Sequence, residues 1–163
     1  MSKEDEIVQS LTSEFPLLQD KAKVQRIRRV VADVTPDKFE QVFAYAKDNL
    51  GFSVLCTITG LDEGSTLGFI YHMSRTDGIT FSLKYSVPKD KPVINSILQY
   101  FTNADIYERE LEDLLGVKVE GLPEGNRYPL PDDWPKGEHP LRKDWKPKGA
   151  KIDTAETQVK EAK

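Results

Sequence analysis

The side chains best equipped to move protons crowd into one run, Glu108-Arg109-Glu110-Leu111-Glu112-Asp113-Leu114-Leu115-Gly116, in which four of the six residues from 108 to 113 are carboxylic acids. Carboxyl groups held at different pKa values can divide the work of general acid and general base, and a histidine such as His139 can carry the proton between them. A small soluble enzyme using Glu110, Asp113 and His139 as acid–base groups is one reading of this pattern. The other is a helix face that binds. On a helical wheel at about 100° per residue, Ile106, Tyr107, Leu111, Leu114 and Leu115 share an arc, and Glu110 falls inside it. A carboxylate on an apolar stripe must be paired, protonated or set in an interface, because burying it alone is expensive. Arg109 and Asp113 stand at i, i+4 and can pair with each other, which leaves Arg127 or Arg142 as partners for Glu110. Arg–carboxylate forks of that kind would strap the downstream chain to the helix.

The rest of the titratable inventory gives acid–base catalysis little support. His139 precedes Pro140 with no second ligand or nucleophile nearby, which reads as a hydrogen-bonding or interface histidine. His72 alternates with strand residues, Cys56 shares an apolar strand with Val54 and Ile58 and reads as a small buried hydrophobe, and Asp132-Asp133 is turn chemistry. One cysteine and two histidines exclude an internal disulfide and a self-contained zinc, haem or iron–sulfur site. Glycine-rich phosphate-binding and dinucleotide-binding motifs are absent from the sequence, as is H-E-x-x-H. With 23 Lys+Arg against 27 Asp+Glu, the net charge of −4 argues against a nucleic-acid partner.

The 163 residues make one domain's worth of chain, and 38% hydrophobic residues can fill a core under a surface carrying 31% charged residues. The longest charge-free stretches, 49–61 and 92–104, are shorter than the roughly 18 residues a membrane span requires. The start, MSKEDEIVQS, has no apolar signal-peptide region, so the protein is expected to stay in the cytoplasm.

The elements that must hold the acidic run can be read in order. Ser2 and Asp5 form a capping-box-like start to a short amphipathic helix carrying Ile7, Val8 and Leu11, which Pro16 ends. A strand over 28–34 hands over at Thr35-Pro36 to a helix with Phe39, Val42, Phe43, Ala46 and Leu50 on one face. Three strands follow, at 52–59, 67–73 and 79–87, separated by Asp62-Glu63-Gly64 and Asp77-Gly78, and they read as an antiparallel meander. Pro92 then opens an apolar helical segment with Val93, Ile94, Ile97, Leu98 and Phe101, restarted at Thr102-Asn103 and running to Leu115-Gly116. The expectation is an α+β fold over 1–116, a small mainly antiparallel sheet with helices on one face. Regular structure is expected to stop after Gly116, where six of the ten prolines fall between 123 and 147. Leu122, Tyr128, Leu130, Trp134, Leu141 and Trp145 are apolar side chains that a solvated linker would not need. Residues 117–145 therefore read as an extended, ordered arm lying on a partner, and 146–163 as a tail that only a partner would hold.

These residues resemble a known family. The run from Glu108 to Val117 is similar to the E-R-E-x-x-D-[LM]-[FL]-G-[IV] signature of the 30-kDa subunit of respiratory complex I, a family shared with energy-converting membrane-bound [NiFe] hydrogenases. Leu130-Pro131-Asp132-Asp133-Trp134 and His139-Pro140-Leu141-Arg142-Lys143-Asp144-Trp145 resemble the L-P-x-D-W and H-P-L-R-K-D-[YW] elements that follow in the same order. The resemblance implies a hydrophilic, cofactor-free, non-catalytic subunit on the cytoplasmic side of a membrane-bound redox complex. It would dock on the catalytic large subunit and the iron–sulfur small subunit, with iron–sulfur clusters and a NiFe centre in those partners. It carries interface and arm-anchoring roles onto Glu108, Arg109, Glu110, Asp113 and Gly116, and onto Trp134, His139, Pro140, Leu141, Arg142, Lys143 and Asp144. Arg127 joins them as a candidate arm anchor. Leu115 stands where the first motif commonly has an aromatic, and Leu122-Pro123-Glu124-Gly125-Asn126-Arg127-Tyr128 stands where many relatives have a G-H-P-D-L-R-R-like run. With the short chain, these departures point to the ferredoxin-linked, ion-pumping hydrogenase branch. The equivalent subunit of a quinone-reducing complex I or of a sulfur-reducing relative is the alternative.

Overall fold

In the computed structural model, which describes residues 1–147, Ser2 caps α1 (Lys3–Glu14). Its Oγ accepts from the Asp5 N–H at 3.2 Å, and the Asp5 carboxylate accepts from the Ser2 N–H at 3.1 Å. After a 3₁₀ turn (Pro16–Leu18) come β1 (Ala22–Arg26), β2 (Arg29–Asp33), α2 (Pro36–Asp48), β3 (Val54–Asp62), β4 (Thr66–Ser74) and β5 (Thr80–Pro88). A short strand β6 (Val93–Asn95), α3 (Ala104–Leu115) and β7 (Lys118–Glu120) complete the domain. The residues of the expected tail beyond 147 lie outside the described residues.

The main sheet has the order β1-β2-β5-β4-β3, antiparallel except for the parallel pair β2–β5, which aligns Val30 with Phe81 and Ala32 with Leu83. Alternation in β5 buries Phe81, Leu83, Tyr85 and Val87. The α2 residues Phe39 and Phe43 join them: the Phe39 ring lies 4.4 Å from that of Tyr85 and 4.5 Å from that of Tyr71. The architecture is thus the expected α+β class.

Three local expectations are corrected. Residues 22–26 form a strand that the sequence does not announce, because four of its five side chains are exposed and leave no apolar alternation to read. The segment after Pro92 begins as β6, parallel to β7, and not as a helix. Its apolar spacing comes from burying Ile94 and Ile97, with the Ser96 N–H bonded to the Glu120 carbonyl at 2.8 Å. By the same pairing, regular structure continues past Gly116 into β7. A fourth correction concerns Cys56, which is exposed. A bulge between Leu55 and Thr57 shifts the β3 alternation, so Leu55 and Ile58 point inward while Val54 and Cys56 do not.

Helix α3 packs along β3. It reaches the outer strand with side-chain hydrogen bonds, Asn103 Nδ2 to the Leu55 carbonyl (3.0 Å) and Tyr107 OH to the Cys56 carbonyl (2.8 Å). These occupy backbone acceptors on a strand that ends the sheet. The approach is close enough that Gly60 is required, since a Cβ there would lie 2.6 Å from Cδ2 of Leu111 and collide with Leu115.

Candidate interaction site at the end of α3

The seam that α3 buries runs through Ala104, Glu108, Leu111 and Leu115, at i, i+4, i+7 and i+11. The acid on the apolar stripe is therefore Glu108 and not Glu110, because packing over Gly60 turns the helix so that Ile106 stands outside. Glu108 is fully buried, with Oε2 accepting from the Ser96 hydroxyl and Oε1 from the Ile97 N–H, both at 2.7 Å. Burial raises its pKa, and the two hydrogen bonds pull it partly back. Close by, burial also raises the Tyr71 and Tyr85 phenols, Tyr85 to about 12, with the Glu108 charge adding to the push. Glu108 thus ties α3 to the turn after β6.

The other acids of α3 have separate duties. Arg109 pairs with Asp105 at 2.9 Å, not with Asp113, and its Nη2 also donates to the Pro123 carbonyl at 3.0 Å where the arm begins. Asp113 is the principal anchor of the arm. Its Oδ1 accepts from Arg127 Nε at 2.7 Å, its Oδ2 accepts from the Leu130 N–H at 3.2 Å, and its backbone carbonyl accepts from Nδ1 of His139 at 2.9 Å. That last bond fixes the tautomer, since a carbonyl can only accept. Arg127 also donates to the Trp134 carbonyl at 2.9 Å. Arg142 donates to the last carbonyls of α3, Nε to Leu115 at 2.6 Å and Nη2 to Gly116 at 3.3 Å. A cation there also suits the negative end of the helix dipole. The expected partnership of Glu110 with Arg127 or Arg142 does not form. Arg127 takes Asp113, Arg142 takes the helix end, and Glu110 has neither a hydrogen bond nor an ion pair among the described residues.

The arm is locked at further points. Its backbone joins the helix where the Leu141 N–H donates to the Leu114 carbonyl at 3.0 Å, just after half-buried Pro140. The Trp134 and Trp145 rings lie 5.9 Å apart, and their Nε1 groups donate to the carbonyl and to Oε2 of Glu138 at 2.9 and 3.3 Å. Farther on, the Lys143 N–H donates to Oδ2 of Asp62 at 2.7 Å, and Lys89 bridges Asp62 (2.7 Å) and Asp144 (2.9 Å). These bonds hold the Asp62 carboxyl far below the usual carboxylate range. Asp62 reads in the sequence only as a turn residue, and Lys89 and Ser96 are not singled out there; their contacts with the arm and with α3 join residues 12 or more positions apart.

Among the described residues no three His, Cys, Asp or Glu side chains come together as a metal-ligand set. His72 lies in the sheet with Nδ1 2.8 Å from the Ser82 hydroxyl and Nε2 3.2 Å from that of Thr59, and burial lowers its pKa. Leu141 is 53% exposed and Tyr128 42%, both on the arm, and Ile106 is 44% exposed in the first turn of α3. No helix among the described residues is long and apolar enough to cross a membrane.

A profile of the family described as "Respiratory-chain NADH dehydrogenase, 30 Kd subunit" matches residues 32–151. A subunit of the F(420)H(2) dehydrogenase of Methanosarcina mazei is 37% identical over 142 residues, covering 85% of this chain and 89% of its own. The beta subunit of the membrane-bound hydrogenase of Pyrococcus furiosus is 26% identical over 152 residues, covering 90% and 88%. Among solved structures, a chain of the membrane-bound sulfane sulfur reductase, an archaeal respiratory membrane complex, superposes with a TM-score of 0.80 at 27% identity, covering 89% of this chain and 86% of its own.

Proposed function

Because the chain belongs to the 30-kDa subunit family of the respiratory-chain NADH dehydrogenase, we propose that it is a non-catalytic docking subunit of a membrane-bound redox complex of the ferredoxin-linked, ion-pumping hydrogenase type. In this reading it sits on the cytoplasmic side, lying against the catalytic large subunit and the iron–sulfur small subunit. Those partners hold the clusters and the nickel–iron centre, while this chain stiffens their junction. The observation that carries the reading is the end of α3. Asp113, His139, Arg142 and the Leu115 and Gly116 carbonyls spend their hydrogen-bonding capacity fixing the arm, and Leu141 and Tyr128 of that arm are left facing outward. A prefixed surface with exposed apolar side chains suits association, because little ordering entropy remains to be lost on binding.

A second reading shares the docking role but places the chain in a complex that reduces a different acceptor. The 37% identity to an F(420)H(2) dehydrogenase subunit and the 0.80 TM-score against a sulfane sulfur reductase chain favour it. One experiment tests both. Tagged native chain is recovered from membranes in mild detergent, and the co-purifying subunits are identified by mass spectrometry with metal analysis. Nickel with an iron–sulfur subunit and antiporter-like membrane subunits is expected for the hydrogenase type. The same subunits without nickel assign the second reading, and a chain recovered alone defeats both.

A further inference from the structure

Between β3 and α3 runs a groove of about 240 Å³, lined by Ile58 and Gly60 on the strand, Glu110 and Leu114 on the helix, and Leu141 of the arm. Its rim is prefixed by the Leu141 N–H to Leu114 carbonyl bond. Resting on the docking role proposed above, we propose that this groove is the socket for a basic side chain, Arg or Lys flanked by apolar residues, presented by the subunit against which the chain docks.

Three observations point to that occupant. The first is the accounting of acids on α3. Asp105 pairs with Arg109, Glu108 is held by Ser96 and Ile97, Glu112 accepts from the Val119 N–H, and Asp113 holds Arg127. Glu110 alone has no partner among the described residues, and it is half-buried with leucines on either side. A carboxylate in such surroundings gains most from a cation, above all a guanidinium that can bind both oxygens. The second is size: small-molecule sites commonly span about 300–1,000 Å³, so this groove suits one or two protruding side chains. The third is the rim. Leu141 is 53% exposed, and Ile58, Leu111 and Leu114 line the groove beside Glu110. Apolar side chains around one charge give the water-excluding ring in which a buried ion pair counts for most.

The test uses the full chain in its native complex. Wild type, Glu110→Gln, Glu110→Lys and Leu141→Ser are each tagged, and retention of the large subunit is followed through a salt titration. A photo-crosslinking amino acid replaces Leu141 in a parallel sample. Among the described residues Glu110 makes no hydrogen bond or ion pair, so the melting temperatures of the two Glu110 variants should match wild type, which separates docking from folding; Leu141→Ser is read against its own melting temperature. Glu110→Gln is expected to loosen the complex roughly tenfold or more and Glu110→Lys further. The crosslinked peptide should come from another subunit and contain Arg or Lys next to apolar residues. Wild-type binding with undiminished retention of both Glu110 variants overturns the socket and leaves the docking role standing. Crosslinks into residues 148–163 of this chain, into a second copy, or into a segment lacking a basic residue overturn it too. Failure of wild type itself to co-purify defeats the docking role and the socket together.

Discussion

His139 fills the space that a side chain at Gly116 would need. Gly116 ends α3 at φ +67°, and a Cβ built there would lie 2.5 Å from Nε2 of His139, whose Nδ1 donates to the Asp113 carbonyl. One glycine therefore does two things. It adopts the left-handed conformation that terminates the helix, and it seats the imidazole that brings the arm back onto that helix end.

Gly116→Ala should destabilise the protein by about 2–4 kcal/mol, combining left-handed strain with the steric conflict. Adding His139→Ala should restore part of that loss, giving a double mutant less destabilised than the sum by about 1 kcal/mol or more. Denaturant unfolding of the four proteins measures this. Strict additivity would show that the two residues do not share the space.

Glu108→Ala should cost about 2–4 kcal/mol, since the buried Ile97 N–H loses its acceptor and a cavity opens. Glu108→Gln keeps an acceptor for Ile97 and should stay within about 1 kcal/mol of wild type at neutral pH. The Glu108 pKa is raised by burial above its ordinary 4.5. Its protonation therefore stabilises the fold, a contribution fully present below 4.5 and lost as pH rises through the higher folded-state value. Thermal melts against pH should show this trend in wild type and not in Glu108→Gln.

The contact of Asp62 with Lys89 and the Lys143 N–H should have the opposite pH sign. Its carboxyl is held far below the ordinary 3.8. The stabilisation is present above 3.8 and lost as pH falls through the lower folded-state value. Proteolysis within 141–147 should thus stay slow at pH 5. Asp62→Asn should accelerate it at neutral pH, and equal cleavage rates for variant and wild type would remove this contact from the account.

Arg127→Ala should destabilise by about 1–3 kcal/mol, because the mostly buried Asp113 loses its ion pair and the Trp134 carbonyl loses a donor. Hydrogen exchange should speed up over 122–137 and remain unchanged in β4 and β5. A uniform change across the sheet would mean that the arm is not a separate cooperative unit.

Local chemistry determined much of this protein from the sequence alone. The Ser2–Asp5 box, the Thr35-Pro36 entry to α2, the alternation of β5 and the left-handed stop at Gly116 are set by residues within a few positions of one another. The family was legible too, because the runs at 108–117 and 130–145 are contiguous. Tertiary structure alone decided which acid is buried and which arginine meets which acceptor. A wheel fixes the spacing of side chains around α3 but not the rotation of the helix against its neighbour. Gly60, 48 residues before Glu108, sets that rotation by admitting Leu111 and Leu115. The partners of the arm were hidden for the same reason. Asp62, Lys89 and Ser96 meet their targets only after strands and helices far apart in sequence have packed, and no periodicity along the chain encodes contacts across that distance.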